Sequence, residues 1–182
     1  MTEILWHGRG GQGAFTAAKF FGASYALSSD NYALSFPSFG PERRGAPILA
    51  FTKLDTKPIG NRSQIKKADY VVFLDDSLFT SASLKEVKPN GTILINSQQS
   101  AAQFQKDNSS KINILTFDGS ALAKEILNLN VANTAMAALL AKISGIVSEE
   151  ELSNALKIYM SEKVAAKNAL LIHAVFENGG KE

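Results

Sequence analysis

The feature that most constrains the fold is a glycine-rich turn between an apolar segment and an alanine-rich one. The letters EILWH (3–7) are typical of a short strand, and HGRGGQG (7–13) contains four glycines. Residues 14–27 have the pattern of a helix. A strand, a glycine turn and a helix in this order begin a βαβ unit. Glycines let the turn be tight and let its backbone approach another group closely.

Further strand and helix patterns alternate along the chain, and the last third is helical. The segments DYVVFLDD (69–76) and TILIN (92–96) are continuous apolar runs, which are typical of strands buried on both faces. Four segments after Gly119 have helical periodicity: 121–127, 133–143, 149–160 and 165–177. We predict one α/β domain over residues 1–182: a doubly wound, mainly parallel, Rossmann-like sheet with a helical C-terminal third.

Composition narrows the function classes. The chain has 182 residues, of which 45% are hydrophobic and 20% are charged, as in globular proteins. No apolar run approaches the roughly 20 residues of a membrane span, and the first residues lack the pattern of a secretion signal. The net charge of +2 is too small to indicate general nucleic-acid binding. We expect a cytoplasmic protein with neither nucleic acid nor membrane as a partner.

Metal-ligating and nucleophilic side chains are scarce. The sequence contains no cysteine, which excludes disulfides, a thiol nucleophile and cysteine-ligated iron–sulfur clusters on this chain. Its two histidines, His7 and His173, are far apart and lack the companions of a zinc site. We expect a structural hydrogen bond from His7, and a core or interface position for His173. Metals or electrons in this protein's chemistry would be carried by another chain.

The glycine turn resembles a dinucleotide-binding loop but lacks two of its companions. Gly8, Gly10 and Gly13 match the G-x-G-x-x-G fingerprint. The second predicted strand, 32–36, has no carboxylate at its end for a ribose hydroxyl, and no Gly-Lys-Ser/Thr follows the glycines. Three interpretations stay open: close packing alone, NAD binding, or contact with another phosphate-bearing or thioester-forming ligand or a partner's loop.

A second loop, PSFGPERRGAP (37–47), follows the second predicted strand. The carboxyl ends of parallel strands meet at one edge of a sheet, so this loop should lie beside the glycine turn. Arg9, Arg43 and Arg44 would then gather near the positive end of the first helix. Their guanidinium groups suit bidentate capture of phosphate or carboxylate. The alternative is that Arg43 pairs with Glu42.

Two adjacent carboxylates, Asp75 and Asp76, follow the 69–74 strand pattern. They resemble a catalytic pair, but the sequence offers them no nucleophile or metal partner. We therefore expect Asp76 or Ser77 to cap the helix that follows.

Four motifs in order carry a resemblance to a known family: WHGRGGQG (6–13), FPSFGPERRGAP (36–47), ADYVVFLDDSL (68–78) and VANTAMAALLAKISGIV (131–147). They resemble the gamma subunit of 2-oxoacid:acceptor oxidoreductases, most closely the pyruvate:ferredoxin or flavodoxin type. The resemblance runs from Glu3 to Leu156.

The resemblance implies a complex that converts pyruvate, coenzyme A and an oxidised carrier into acetyl-CoA, carbon dioxide and reduced carrier. It implies thiamine diphosphate on alpha and beta chains, iron–sulfur clusters on a delta chain, and ferredoxin or flavodoxin as acceptor. The gamma chain would be structural and assist with coenzyme A, and would be inactive alone. 2-Oxoglutarate or a branched-chain 2-oxoacid stays open as the substrate. A stand-alone NAD(P)-dependent oxidoreductase and a nucleotide-binding module also remain alternatives.

Carried over to this sequence, the family's motifs mark eleven candidate ligand-contacting residues: Gly8, Arg9, Gly10, Gly11, Gln12, Gly13, Gly40, Arg43, Arg44, Asn133 and Thr134. Asn133 and Thr134 open a predicted helix whose first amides could face the same crevice. Related chains often carry proline where this one has Ala132, so a pre-set helix start is lost. We expect Met136 to pack in the core. No catalytic residue and no metal ligand is predicted on this chain.

Overall fold

In a computed structural model, residues 1–27, 30–38, 44–105 and 112–180 are described. Within these ranges the chain forms six strands: β1 (Thr2–Arg9), β2 (Tyr32–Pro37), β3 (Pro47–Asp55), β4 (Ala68–Phe73), β5 (Val87–Asn96) and β6 (Asn113–Phe117). It also forms five α-helices: α1 (Ala14–Ala26), α2 (Gly119–Leu127), α3 (Asn133–Ser144), α4 (Glu149–Tyr159) and α5 (Glu162–Asn178). Three 3-10 helices complete the described part: Asp76–Leu78, Ser81–Glu86 and Ala101–Gln103.

The six strands form one sheet in the order β2-β3-β1-β4-β5-β6. β1, β4, β5 and β6 pair in parallel, whereas β3 is antiparallel to both β1 and β2. The predicted α/β fold is confirmed, but the first βαβ unit differs from the expected one because β3 lies between β1 and β2. β2 still runs in the same direction as β1, so its carboxyl end lies at the same sheet edge as the glycine turn.

Side chains alternate between two cores on opposite faces of the sheet. Ile4 and Trp6 of β1 belong to the core covered by the α-helices. Leu5 belongs to the core on the other face, with Phe73 of β4. The connections lie on both faces, as in a doubly wound sheet. On the second face they are 3-10 helices, and two of them stand in place of the helix expected after Asp76 or Ser77.

Sequence signals mark the ends of the C-terminal helices. The Ser-x-x-Glu spacing predicts a capping box at the start of α4. Ser148 Oγ accepts from Glu151 N at 3.2 Å, and Glu151 Oε2 accepts from Ser148 N at 2.8 Å. Gly145 ends α3 with φ of 66°, in the left-handed region that favours glycine. Met136 is fully buried, as predicted.

Candidate functional site

The glycine turn joins β1 to α1 and depends on backbone conformations that other residues avoid. Gly11 has φ of 96° and Gly13 has φ of 79°. A Cβ atom on Gly13 would lie 2.5 Å from Asn133 Nδ2, at the start of α3. Gly13 therefore provides both a left-handed turn and the close approach of a second helix.

The glycine turn lies against the residues that lead into β3. Gly10 N donates to Ala46 O at 2.9 Å, and Gly45 N donates to Gly10 O at 3.0 Å. The expectation that the two loops are neighbours is confirmed for this part of the second loop. Three residues of that loop named above, Gly40, Glu42 and Arg43, lie outside the described residues.

The Arg9 side chain connects the glycine turn to the residues before β3 and to those after β4. Its Nε donates to Asp75 Oδ2 at 3.1 Å, its Nη1 to Gly45 O at 3.1 Å, and its Nη2 to Ser77 Oγ at 2.9 Å. Gln12 closes the network, because its Oε1 accepts from Arg9 N at 2.7 Å and its Nε2 donates to Asp75 Oδ2 at 2.9 Å. Arg9 and Gln12 thus position the glycine turn by contacts within the chain.

Sequence reasoning missed the role of Asp75. Its Oδ1 accepts from Ser77 N at 3.1 Å, so Asp75 caps the 3-10 helix and the expected cap through Asp76 or Ser77 is wrong. Asp76 instead accepts from Ser97 Oγ at 2.5 Å. Burial raises the pKa of the Asp75 carboxyl, but hydrogen bonds from Ser77 and Gln12 and the charge of Arg9 outweigh it and lower that pKa overall. Asp75 is therefore an anion at neutral pH.

Two cavities flank the glycine turn. The first, which we call the arginine groove, has a volume of about 620 Å³; its described lining is Gly10, Gly11, Gly13, Ala14, Phe15, Thr16, Arg44 and Ile48. The second, the aspartate cleft, has about 210 Å³; its described lining is Gln12, Leu74, Asp75, Asp76, Asn96, Ser120, Asn130, Val131 and Ala132. Their charges are opposite, since the described lining of the first contains an arginine and no carboxylate.

The arginine groove has the electrostatics of an anion site. α1 is a 13-residue helix whose N-cap, Gly13, has no side chain to satisfy the first amides, and its first turn contains no acidic residue. The free amides and the helix dipole favour an anion at this end. The Arg44 side chain is exposed and makes no hydrogen bond or ion pair with the described residues. A phosphate thus fits the arginine groove, whereas the two carboxylates of the aspartate cleft would repel it.

The first residues of α3 pack against the glycine turn. Asn133 is half-buried and packs against Gly13, while its Oδ1 accepts from Thr134 N at 2.8 Å. The Thr134 side chain is buried, and neither residue is among the described lining of the two cavities. The N-cap of this helix, Ala132, lines the aspartate cleft and has no capping side chain.

The two histidines have local roles. His7 Nε2 lies 2.9 Å from Glu86 Oε2, and its ring stacks on Phe73 with centroids 4.3 Å apart, which confirms the expected structural bond. His173 is exposed and its Nδ1 lies 2.9 Å from Glu149 Oε1, so the expectation of a core position is wrong. α5 turns position 173 to solvent while its neighbours fill the core.

The described residues contain neither a metal-binding cluster nor a membrane-spanning helix. No group of three or more His, Asp or Glu residues in those ranges is placed to hold a metal ion. None of the helices in the described ranges is both long and apolar enough to cross a bilayer.

The strand arrangement bears on the dinucleotide interpretation. In a dinucleotide-binding fold, the strand beside β1 ends at the glycine edge and carries the acid that binds the ribose. Here the strand beside β1 on that side is the antiparallel β3, which begins at this edge. No Asp or Glu occurs in β2 or at Ser38, the last described residue after it. Both observations argue against an NAD site of that type.

Fold and site together define an α/β chain that presents an anion-receptive glycine turn. The sequence model of the family described as Pyruvate ferredoxin/flavodoxin oxidoreductase matches residues 3–178, and the chain belongs to this family. The resemblance inferred from the four motifs is therefore confirmed.

Individual relatives agree with this assignment. The chain is 40% identical over 178 residues to the Pyruvate/ketoisovalerate oxidoreductases common subunit gamma of Thermococcus kodakarensis, covering 97% of this chain and 96% of the relative. It is 38% identical over 178 residues to the Pyruvate synthase subunit PorC of Methanothermobacter marburgensis, covering 97% of each. The crystal structure of pyruvate oxidoreductase subunit PORC from Thermotoga maritima superposes with a TM-score of 0.83 at 27% identity, covering 97% of this chain and 96% of that one.

Proposed function

We propose that this chain, as a single domain over residues 1–182, is the gamma subunit of a multichain oxidoreductase that oxidatively decarboxylates pyruvate. The overall reaction would convert pyruvate, coenzyme A and an oxidised carrier into acetyl-CoA, carbon dioxide and reduced carrier. Family membership and relatives named as pyruvate oxidoreductase gamma or PorC subunits support this role.

The contribution of this chain is to bind the phosphates of coenzyme A in the arginine groove. The observation that carries the proposal is the convergence on one groove of the uncapped first turn of α1 and of Arg44, whose side chain has no partner among the described residues. The backbone of Gly10, Gly11 and Gly13 lines the same groove, where the absence of side chains leaves room for a phosphate. Phe15 and Ile48 add apolar surface for the less polar parts of the molecule.

The other candidate residues have different roles, which follow from what each one contacts. Arg9 and Gln12 position the glycine turn through Asp75 rather than contact the ligand. Gly8 supports it by packing, because a Cβ there would lie 3.0 Å from Ala14 Cβ. Asn133 packs against the turn and Thr134 is buried. Gly40 and Arg43 keep their proposed ligand role from the family motif.

The remaining chemistry belongs to partner chains in this proposal. Thiamine diphosphate would be held by alpha and beta chains, and iron–sulfur clusters by a delta chain. Electrons would pass to ferredoxin or flavodoxin. The sequence supports this division because it contains no cysteine to ligate a cluster. This chain would hold and orient coenzyme A, and the residues that choose among 2-oxoacids would lie mostly on the other chains.

Steady-state kinetics of the assembled complex test the proposal. Arg44→Ala removes one charged donor, worth about 1.5–3 kcal/mol, so KM for coenzyme A should rise on the order of 10- to 100-fold with kcat little changed. Lys163→Ala on α5 is the matched control, because the Lys163 side chain is also an exposed cation that makes no hydrogen bond or ion pair with the described residues.

A complex that assembles normally and keeps its KM for coenzyme A with Arg44→Ala would reject the coenzyme A role. A chain that purifies alone, never joins other subunits and binds NADH would reject the subunit role. These two failures are separate, since the first leaves assembly intact.

A further inference from the structure

A twelve-residue segment between β3 and β4, residues 56–67, presents a cationic surface far from the arginine groove. It contains Lys57, Arg62, Lys66 and Lys67 and no acidic residue. All four side chains are exposed. We call this surface the basic loop.

The basic loop has no regular secondary structure, yet it is anchored to the fold. Ile65 is buried in the core on the face opposite the α-helices. From beneath, the fully buried Lys53 donates from Nζ to Asn61 O at 3.2 Å. Asn61 Oδ1 accepts from Ser63 N at 2.8 Å, which forms a local turn. The four cations therefore lie on a loop that is held to the fold. The ammonium of Lys53 adds to the positive electrostatic potential of this loop.

These cations lack counter-charges within the described chain. The side chains of the four make no hydrogen bond or ion pair with described residues. The neighbouring acids already have other partners. Asp55 lies 3.3 Å from the Met1 amino group, and Lys88 Nζ lies 3.0 Å from Glu3 Oε2 and 2.8 Å from Asp69 Oδ2. The positive charge of the basic loop is thus available to another molecule.

The basic loop and the glycine turn lie at opposite ends of the strands of the sheet. Arg9 of β1 pairs with Pro47 at one end of β3, and Thr2 pairs with Leu54 at the other. Seven residue-to-residue steps along the strand separate these two ends by roughly 23 Å. A partner on the basic loop and an anion in the arginine groove can therefore bind at the same time.

We propose that the basic loop is a docking surface for an acidic face of another subunit of the complex; this rests on the proposed function above. A protein partner is favoured over nucleic acid because residues 56–67 contain no aromatic side chain on which bases could stack and the net charge of the chain is only +2. Complementary charge at such a surface steers association and raises its rate at low salt.

Association kinetics with charge-reversal variants test the inference. Tagged chain is added to the complex of the remaining subunits, and the association rate is measured from about 50 to 500 mM NaCl, a range that spans strong and weak screening. Lys66→Glu with Lys67→Glu should slow association at least tenfold at the lowest salt and flatten its salt dependence. Lys163→Glu with Lys167→Glu on α5 is the control, since it makes the same change in net charge at two other exposed lysines.

A site-specific cross-link identifies what docks there. The chain has no cysteine, so Arg62→Cys carries a single photoreactive group when the chain is labelled before it is mixed with the other subunits. We expect a cross-link to a segment of another subunit that is rich in Asp and Glu. Equal association of both double variants, or a cross-link to a second copy of this chain, would overturn the inference. So would normal assembly combined with a raised KM for the electron carrier, which would make the carrier the occupant. Failure of the unaltered chain to associate at all would instead reject the proposed function.

Discussion

Gln12 donates from Nε2 to Asp75 Oδ2 at 2.9 Å, which joins the glycine turn to the end of β4. The same carboxylate oxygen accepts from Arg9 Nε, so one half-buried anion fixes both polar side chains of the turn. A turn with so many glycines would otherwise have large conformational freedom in the unliganded chain. The rigidity of this edge therefore depends on a residue that neither lies in the turn nor lines the arginine groove.

Asp75→Asn should make the glycine turn more mobile and should lower the free energy of unfolding of the chain. The substitution removes the anion and leaves Arg9 without its charged partner, which typically costs about 1–3 kcal/mol. Urea unfolding followed by the fluorescence of the single, buried Trp6 measures the loss. Hydrogen exchange should quicken at Gly10 and Gln12 but not in α4. Unchanged exchange in the turn would contradict the positioning role.

The contribution of Asp75 should also depend on pH. Its pKa is lowered in the folded chain, so its stabilisation is fully present above the unfolded value of about 3.9 and is lost as pH falls through the lower folded pKa. The difference in unfolding free energy between the unaltered chain and Asp75→Asn should be largest near pH 7 and shrink below about pH 3.9. A difference that grew on acidification would reverse the assigned sign.

Gly13→Ala should destabilise the turn through strain and through contact with Asn133. A left-handed φ costs an alanine on the order of 1–2 kcal/mol, and the new Cβ would lie 2.5 Å from Asn133 Nδ2. Gly145→Ala isolates the strain, because Gly145 has φ of 66° and nothing within 4 Å of its Cβ position. Denaturant melts should show a larger loss for Gly13→Ala, and Asn133→Ala should reduce the excess. Equal losses at the two glycines would exclude the contact.

Ser148→Ala should weaken α4 by about 1 kcal/mol, the usual cost of an N-cap serine. Ser161→Ala is a matched control at the start of α5, where the serine makes no side-chain capping hydrogen bond. Thermal unfolding of the two variants measures the difference. A larger effect at Ser161 would show that the α4 capping box contributes little.

Short-range sequence patterns predicted most of the strands and helices, because apolar runs and helix caps depend on residues only a few positions apart. Long-range pairing was harder to predict. The place of β3 between β1 and β2 depends on a register that spans dozens of residues, as in the pairing of Thr2 with Leu54. Gln12 and Asp75 are 63 positions apart, and nothing beside either residue indicates the contact. The apolar neighbours of His173 predict a core or interface position, and the core is excluded only by the helix geometry that turns this side chain outward.

The position of β1 in the sheet has a consequence for biosynthesis. This strand precedes its hydrogen-bonded neighbours in the chain, since β3 spans Pro47–Asp55 and β4 spans Ala68–Phe73. While the polypeptide emerges from the ribosome, both edges of β1 stay unpaired until those later strands are translated. Exposed apolar strands promote aggregation, so the interval between the translation of β1 and that of β4 is a stage at which the nascent chain is open to it.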